Sequence, residues 1–255
     1  MKTDKVTAES IRTWKGRQEK IAALTAYDYP TARLVDEAGV DLILVGDSLG
    51  MMVLGHPDTT AVTLADMVHH TRAVRRGVRR GFLVADLPIG AYANPGQAVE
   101  SAGQLAAAGA EAVKLEGGQS QGAQIRAITR AGIPVVGHIG MLPQHIREEG
   151  RYQVKGKNEG EREFLRREAA AVVAAGACAV VLELVEPASA DEITRTAAIP
   201  TIGIGSGPKC DGQILVVHDL IGFYPWFTPR HVRPRADVAG DIRKAVTGWV
   251  LSLES

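Results

Sequence analysis

The chain has 255 residues, of which 45% are hydrophobic, 5% aromatic and 23% charged, so it can bury a sizeable core and is not a disordered or fibrous segment. Lysine plus arginine and aspartate plus glutamate each total 29, and the resulting zero net charge gives no overall field to hold nucleic acid or an anionic membrane. The 28 glycines, the 12 prolines and the scarcity of aromatic residues favour an aliphatic α/β protein over a β-sandwich.

The cysteines and the N-terminal residues bear on the compartment. Cys178 and Cys210 lie in no CxxC or Cys/His spacing, so no disulfide framework is expected. The first 20 residues lack the apolar stretch of a signal peptide, and no window approaches the ~20 apolar residues needed to cross a bilayer. We therefore expect a soluble, cytoplasmic protein.

One local pattern recurs along the chain. An alanine-rich helical stretch is followed by a glycine and then by four to six apolar residues that end in a charged or polar one, as at 107–116 and 174–183. A glycine after a helix adopts the left-handed conformation without a Cβ clash, and a continuous aliphatic run suits a strand buried on both faces. The pattern therefore predicts a repeated helix-strand unit.

These units predict an alternation of strands and helices. The predicted strands are 20–26, 41–46, 81–86, 111–116, 133–138, 178–183, 200–204 and 213–217. Helical patterns lie at 64–77, 95–109, 161–176 and 188–197. Strict alternation over ~250 residues fits either a doubly wound sheet or a (βα)8 TIM barrel, and eight units favour the barrel.

No linker or change of composition divides the chain. We therefore predict a single domain over 1–255, with a short N-terminal extension at about 1–19 and a C-terminal helical segment at about 236–253. The loops at 49–61 and 141–160 follow the second and fifth strands and are polar and glycine-containing. In a barrel the site lies at this end of the strands, so both loops are candidate lids.

Ionisable residues end five consecutive predicted strands. They are Asp47 after the second, Asp86 after the third, Lys114 and Glu116 on the fourth, His138 on the fifth and Glu183 on the sixth. Burying several carboxylates together is costly unless cations or hydrogen bonds compensate them, which favours a functional site. In the alternative interpretation each carboxylate merely caps the next helix.

The side-chain types indicate a metal-assisted reaction. Asp47, Asp86 and Glu116 offer oxygen ligands, and only His138 offers a nitrogen nearby, which favours a hard cation such as Mg²⁺, or Mn²⁺ or Co²⁺, over structural zinc. Such an ion would polarise a substrate carbonyl, and Lys114 would add positive charge to the same oxygen. Glu183, on a separate strand with apolar neighbours, is then available as a general base.

Six segments resemble the ketopantoate hydroxymethyltransferase family, in order and at the spacing of that family, from about Lys20 to Phe223. They are VGDSLGMMVLGHPDTTAVTLADM (45–67), ADLPIGAYANPGQA (85–98), VKLEGG (113–118), VVGHIGMLPQ (135–144), VLELVEP (181–187) and IPTIGIGSGPKCDGQILVVHDLIGF (199–223). The sequence departs from the family pattern mainly at 229–235, which leaves subunit packing open.

The resemblance implies a Mg²⁺-dependent (βα)8 barrel that assembles as a homo-oligomer, a decamer. It implies transfer of a one-carbon unit from 5,10-methylenetetrahydrofolate to 3-methyl-2-oxobutanoate, which gives 2-dehydropantoate for pantothenate synthesis. Asp47 and Asp86 would bind the metal directly and Glu116 through water. Glu183 would remove the C3 proton. The residues implied for binding the keto acid are Asp47, Ser48, Asp86, Lys114 and His138.

Two other functions remain open at the level of sequence. A lyase or mutase of the phosphoenolpyruvate mutase and isocitrate lyase type would share the barrel, the Mg²⁺ ion and the keto acid. Lys209-Cys210-Asp211 is similar to the reactive-cysteine loop of those enzymes but lacks its Gly-His continuation. A barrel used only for assembly or ligand storage would bind Mg²⁺ without turnover. Dependence on folate distinguishes the transferase from the lyase or mutase, and turnover of any keto acid would exclude the non-catalytic barrel.

Overall fold

The structure of the chain, a computed structural model, describes residues 4–253. Eight parallel strands close into a barrel in chain order, which confirms the predicted (βα)8 fold. The strands are β1 (Ile21–Thr25), β2 (Leu42–Val45), β3 (Phe82–Asp86), β4 (Ala112–Glu116), β5 (Val135–Gly140), β6 (Ala179–Glu183), β7 (Thr201–Ile204) and β8 (Gly212–Leu215).

Helices separate most of the strands, as the periodicity predicts. They are α1 (Ala8–Arg12), α2 (Tyr29–Glu37), α3 (Leu49–Met52), α4 (Leu64–Gly77), α5 (Pro95–Ala107), α6 (Gly122–Arg130), α7 (Ile146–Glu149), α8 (Glu159–Ala174), α9 (Pro187–Thr196), α10 (Val217–Leu220) and α11 (Val238–Ser252). Single 3₁₀ turns lie at Thr59–Ala61, Gln119–Gln121 and Pro143–His145. The predicted 64–77 helix is confirmed at both ends.

The described residues form two compact units, one up to Ile214 that carries the barrel and one from Leu215 that carries α10 and α11. The predicted single domain over 1–255 stays a prediction. Helix α1 lies within the predicted extension, of which residues 1–3 are outside the described part of the chain, and α11 lies within the predicted 236–253 segment. Within residues 4–253 no helix has the length and apolarity to span a bilayer.

Glycines end the helices that lead into buried strands. Gly109 follows α5 with φ +108°, and Gly176 follows α8 with φ +93°. A residue with a Cβ is strained in this left-handed region, so glycine lets the chain turn from the helix into the next strand within four residues. All five residues of the following strand β4 are buried, as the continuous aliphatic pattern predicts.

The lower end of the barrel, where the strands begin, is filled by apolar side chains. Ile21 and Phe82 belong to this cluster, and the N-terminal segment adds Val6, Ile11 and Trp14 to it. The segment is also bonded to the barrel, because the Val6 N–H donates to a carbonyl before β3 at 2.9 Å. Residues 6–14 therefore close this end, and polar side chains collect at the opposite rim.

The strand register places the charged residues next to one another. Lys114 on β4 pairs with Asp86 on β3, and Glu116 on β4 pairs with His138 on β5. Side chains two residues apart on a strand share a face, so Lys114 and Glu116 project to the same side of the sheet. The barrel thus brings these four groups together without any contribution from a loop.

Candidate active site

The predicted site residues converge at the upper rim of the barrel. Five of them are buried, namely Asp47, Asp86, Lys114, Glu116 and His138. The side chain of Glu183 keeps 17% of its surface exposed. Ser48 lies beside Asp47 at the start of α3, with its hydroxyl 2.8 Å from that of the buried Tyr27. Their placement agrees with the predicted site, while the role of each residue stays a prediction.

Lys114 is the cation at the centre of this group. Its ammonium nitrogen lies 2.9 Å from Oδ1 of Asp86 and 3.2 Å from Nδ1 of His138. The other oxygen of Asp86 accepts a hydrogen bond from the backbone N–H of Asp47 at 3.0 Å. Asp86 therefore links the end of β2 to the lysine on β4.

His138 connects the pair of Asp86 and Lys114 to Glu183, the predicted base. Its Nδ1 lies 3.5 Å from Oε1 of Glu116, and its Nε2 lies 3.3 Å from Oε2 of Glu183. Burial, followed by the charge of Lys114, holds the pKa of His138 well below its ordinary value, so the ring is neutral near pH 7. Since the ammonium donates to Nδ1, the ring proton belongs on Nε2, facing Glu183.

The buried acids and the lysine shift one another's protonation. Burial, and then the charge of Asp86, raises the pKa of Asp47 to about 7. Burial, and then the charge of Asp47, raises the pKa of Glu116 well above its ordinary value. Burial lowers the pKa of Lys114, but Asp86, Glu116 and Asp47 together outweigh it and raise that pKa overall. The site therefore has a stable cation surrounded by an excess of acids.

The backbone around Glu183 is fixed on both sides. Leu184 has φ +47° and is the non-glycine residue of positive φ in the described chain. The hydroxyl of the buried Ser206 donates to Leu182 O at 2.7 Å and accepts from Val185 N–H at 2.9 Å. A side chain in the left-handed region costs free energy, so these bonds hold an unfavourable turn directly after the predicted base.

A close contact with β5 fixes the same turn from the other side. The Met141 N–H donates to Glu183 O at 2.8 Å. Gly140 has φ +101°, and a Cβ there would lie 2.3 Å from Glu183 O. Glycine is therefore required for β5 to approach the base this closely.

The alternative interpretation, in which the strand-end carboxylates cap helices, is wrong for the described helices. The residues whose side chains do cap helices or turns are Thr7, Asp28, Asp58, Thr63, Asn94, Asn158, Glu186 and Asp237. None of the predicted site residues serves in this way, so their burial has to be explained by the site itself.

The sequence reasoning missed two neutral residues, Gln144, which contacts the acids, and Tyr92, which contacts Gln144. Gln144, in the loop after β5, donates through Nε2 to Oδ2 of Asp47 at 2.8 Å and through its backbone N–H to Oε2 of Glu116 at 3.0 Å. The Tyr92 hydroxyl donates to Oε1 of Gln144. Gln144 ends the family-like segment 135–144, and its place in that segment, in the loop after β5, was the available signal.

The two predicted lid loops contact each other. In the loop after β5, Arg147 Nε lies 3.0 Å from Oδ2 of Asp58 in the loop after β2. The 3₁₀ turns Thr59–Ala61 and Pro143–His145 also lie close together. Burial, and then the charge of Glu183, raises the pKa of Tyr152, which belongs to the loop after β5. An ion pair thus joins the loops beside the acids.

The donor set fits a hard divalent cation. Glu116 Oε1 is buried without a hydrogen-bond partner in the described structure, beside two further acids and no thiolate. Mg²⁺ is commonly held by one or two carboxylates together with water and substrate. Within residues 4–253 no three His, Cys, Asp or Glu side chains are spaced as a complete metal-binding group. The ligands Asp47, Asp86 and Glu116 therefore stay a prediction.

Comparison with known families gives a match over nearly the whole chain. Residues 5–255 match the family model for ketopantoate hydroxymethyltransferase. A 3-methyl-2-oxobutanoate hydroxymethyltransferase of Acetivibrio thermocellus is 50% identical over 97% of this chain and 88% of its own length. Its counterpart in Hyperthermus butylicus is 54% identical over 96% of this chain and 85% of its own.

Solved structures with the same fold are more distant in sequence. A protein described as a phosphonomutase from Burkholderia cenocepacia has a TM-score of 0.67 at 17% identity, covering 83% of this chain and 91% of its own. A phosphonopyruvate hydrolase solved with oxalate and Mg²⁺ has a TM-score of 0.62 at 17% identity, covering 83% and 80%. At this identity the likeness extends to the barrel fold alone.

Proposed function

Because the chain belongs to the ketopantoate hydroxymethyltransferase family, and is thus an enzyme that hydroxymethylates 3-methyl-2-oxobutanoate, we propose that it uses Mg²⁺ and 5,10-methylenetetrahydrofolate and forms 2-dehydropantoate. Mn²⁺ or Co²⁺ would substitute for Mg²⁺. The observation that carries the proposal is the connected line of Asp86, Lys114, His138 and Glu183 beside two more buried acids.

The keto acid would bind against this line. Asp47 and Asp86 would hold the metal directly and Glu116 through water, and a divalent cation there would polarise the keto group of the substrate. Lys114 would donate to a substrate oxygen, since it keeps its charge among the acids. Ser48 and neutral His138 would supply the remaining hydrogen bonds, with Ser48 held by Tyr27.

Glu183 would act as the general base. Its half-buried carboxylate would take the proton from C3, and the electron pair of that C–H bond would form the new bond to the methylene carbon. Water would supply the hydroxyl oxygen as both bonds from this carbon to folate nitrogen break. The C3 proton and one water proton would end on those nitrogens, so tetrahydrofolate leaves with the atoms balanced.

Proton exchange tests this assignment. In D₂O, the C3 proton of 3-methyl-2-oxobutanoate should exchange in the presence of enzyme and Mg²⁺ without any folate. Glu183→Gln should abolish the exchange yet keep Mg²⁺-dependent binding of the keto acid. Retention of the C3 proton by folded, metal-bound wild-type protein, or normal exchange by the variant, would count against Glu183 as the base.

A turnover assay tests the cofactors and separates the alternatives. Product formation should require both methylenetetrahydrofolate and a divalent cation, and EDTA should stop it until Mg²⁺ is restored. A lyase or mutase of the phosphoenolpyruvate mutase type would turn over its keto acid without folate. Metal binding with no turnover of any keto acid would instead indicate a non-catalytic barrel.

We extend the proposal to assembly as a homo-oligomer, a decamer, in the cytoplasm, with neither nucleic acid nor membrane as partner. Supporting it, Ile242, Val246 and Trp249 of α11 and Leu253 directly after it are exposed in the single chain and recur at helical spacing. A stripe of this kind is typical of a surface covered by another subunit. Light scattering should give ten times the mass of 27.1 kDa.

A further inference from the structure

We infer that Gln144, held in place by Tyr92, is a positioning residue that sets the two acids Asp47 and Glu116 at the separation a divalent cation requires. The inference rests on the proposed function, because it concerns the metal that the function needs. Gln144 lies in the loop after β5 and is 3% exposed, so its contacts form away from bulk water.

Every polar group of the Gln144 side chain is used. Nε2 donates to Asp47 Oδ2 at 2.8 Å and to Leu87 O at 3.0 Å, and Oε1 accepts from the Tyr92 hydroxyl. A carbonyl oxygen only accepts, so the bond to Leu87 O fixes which end of the amide faces Asp47. The amide therefore presents a donor, and not an acceptor, to the acid.

Tyr92 is itself anchored. Its backbone carbonyl accepts from Nε2 of the buried Gln124 at 3.3 Å, and its side chain is buried. The hydrogen bonds run from Gln124 on α6, through Tyr92, to the amide beside Asp47. Outer-shell partners of this kind fix the orientation of the groups that bind a metal, and their loss usually weakens metal affinity.

Gln144 also contacts the second acid, Glu116, through its backbone. The Gln144 N–H donates to Glu116 Oε2 at 3.0 Å, while Glu116 Oε1 has no hydrogen-bond partner in the described structure. One residue thus occupies a single oxygen on each of two neighbouring acids. A neutral amide achieves this without adding charge, whereas a third carboxylate here would increase the repulsion.

The experiment measures metal binding on the folded protein. Mn²⁺ binding, followed by electron paramagnetic resonance, and Mg²⁺ binding, followed by calorimetry, are compared between wild type and Gln144→Met, which keeps the side-chain length and removes its hydrogen bonds. We expect a ten- to hundred-fold increase in Kd, on the order found for other outer-shell substitutions. Tyr92→Phe, which leaves the amide in place, should raise Kd by a smaller factor.

The matched control is Gln213→Met, which removes a half-buried amide that donates to the Gly207 carbonyl at 3.0 Å and takes no part in the contacts of Gln144 or Tyr92. It should lower the melting temperature of the metal-free protein without the loss of affinity seen in Gln144→Met. A positioning role also predicts that excess Mg²⁺ restores most of the turnover of Gln144→Met, which damage to the fold would not allow.

The outcomes separate this inference from the proposed function. If wild-type protein binds neither cation, the metal part of the proposed function fails and the inference fails with it. If wild type binds and Gln144→Met binds equally well, the inference alone is overturned. Should Gln144→Met not fold, Tyr92→Phe decides, and an unchanged Kd in that variant would overturn the inference.

Discussion

Lys114 Nζ lies 2.9 Å from Asp86 Oδ1, and the two residues are direct partners across β4 and β3. The ion pair is thus fixed by the register of two buried strands. Because the same lysine also contacts His138 at 3.2 Å, one cation orders the acids on one side and the ring that faces Glu183 on the other.

Lys114→Met should both destabilise the metal-free enzyme and inactivate it. Removing one partner of a buried ion pair leaves an uncompensated charge and costs about 3–5 kcal/mol of unfolding free energy. Urea unfolding without metal measures this loss. Mg²⁺ should recover part of the stability by replacing the positive charge, whereas turnover should stay low because the proposed donor to the substrate oxygen is gone. Unchanged unfolding would contradict a structural role for the pair.

Mg²⁺ affinity should fall below neutral pH. The pKa of Asp47 is raised to about 7 from an ordinary 3.8, chiefly by burial, so a proton competes with the metal below pH 7. Because Mg²⁺ has to displace one proton from Asp47, its binding should be about tenfold weaker at pH 6 than at pH 8. Calorimetry at both values in two buffers measures the affinity and the proton released.

The same shift in the pKa of Asp47 determines how the stability of the folded protein changes with pH. With its folded pKa raised, Asp47 contributes stability that is full below about pH 3.8 and is lost as the pH rises through about 7. A bound Mg²⁺ compensates the charge of the Asp47 carboxylate in place of that proton, so MgCl₂ should raise the melting temperature more at pH 8 than at pH 6. Equal increments in wild type, or the full difference in Asp47→Asn, would argue against this assignment.

Ser206→Ala should reduce kcat more than it changes KM. The substitution leaves the buried Val185 N–H without its acceptor, at a cost of about 1–3 kcal/mol, and releases the turn that places Glu183. Steady-state kinetics with both substrates provides the measurement. Thr194→Val, which removes a buried hydroxyl bonded to Thr201 at the opposite end of the barrel, is the control and should change stability without this effect on kcat.

Arg147→Ala should loosen the two candidate lids together. Arg147 is exposed and its partner Asp58 also bonds to Thr60, so the ion pair contributes to holding the loops and little to overall stability. Hydrogen exchange should increase in both 49–61 and 141–160. The charge swap Asp58→Arg with Arg147→Asp should restore part of the protection from exchange. An increase in exchange confined to one loop would show that this ion pair does not hold both loops.

Much of this molecule could be predicted because its strands are buried on both faces. The run Ala179–Glu183 is aliphatic until its last residue, so both the strand and the polar group at its end were visible in the sequence. Buried acids next to a lysine also have few structural explanations, which is why Asp86, Lys114 and Glu116 could be assigned to one site.

The other residues of the candidate site could not be predicted, because their positions depend on the geometry of the loops. Gln144, Tyr92 and Ser206 are neutral and act through hydrogen bonds whose partners are distant in the chain, so their residue types gave no signal. The positive φ of Leu184 was equally hidden, since leucine rarely adopts that conformation. The sequence therefore indicated the charged residues of the candidate site, and the structure revealed the neutral groups that hold them in place.

The segment of residues 6–14, which fills the lower end of the barrel, also has a kinetic consequence. With that end closed by Ile11 and Trp14, we expect both substrates to approach from the rim and the smaller keto acid to bind deeper, against Lys114. The larger folate would then cover the bound keto acid. Binding should accordingly be ordered, with the keto acid entering first and its hydroxymethylated product leaving last, and inhibition by that product should be competitive with the keto acid alone.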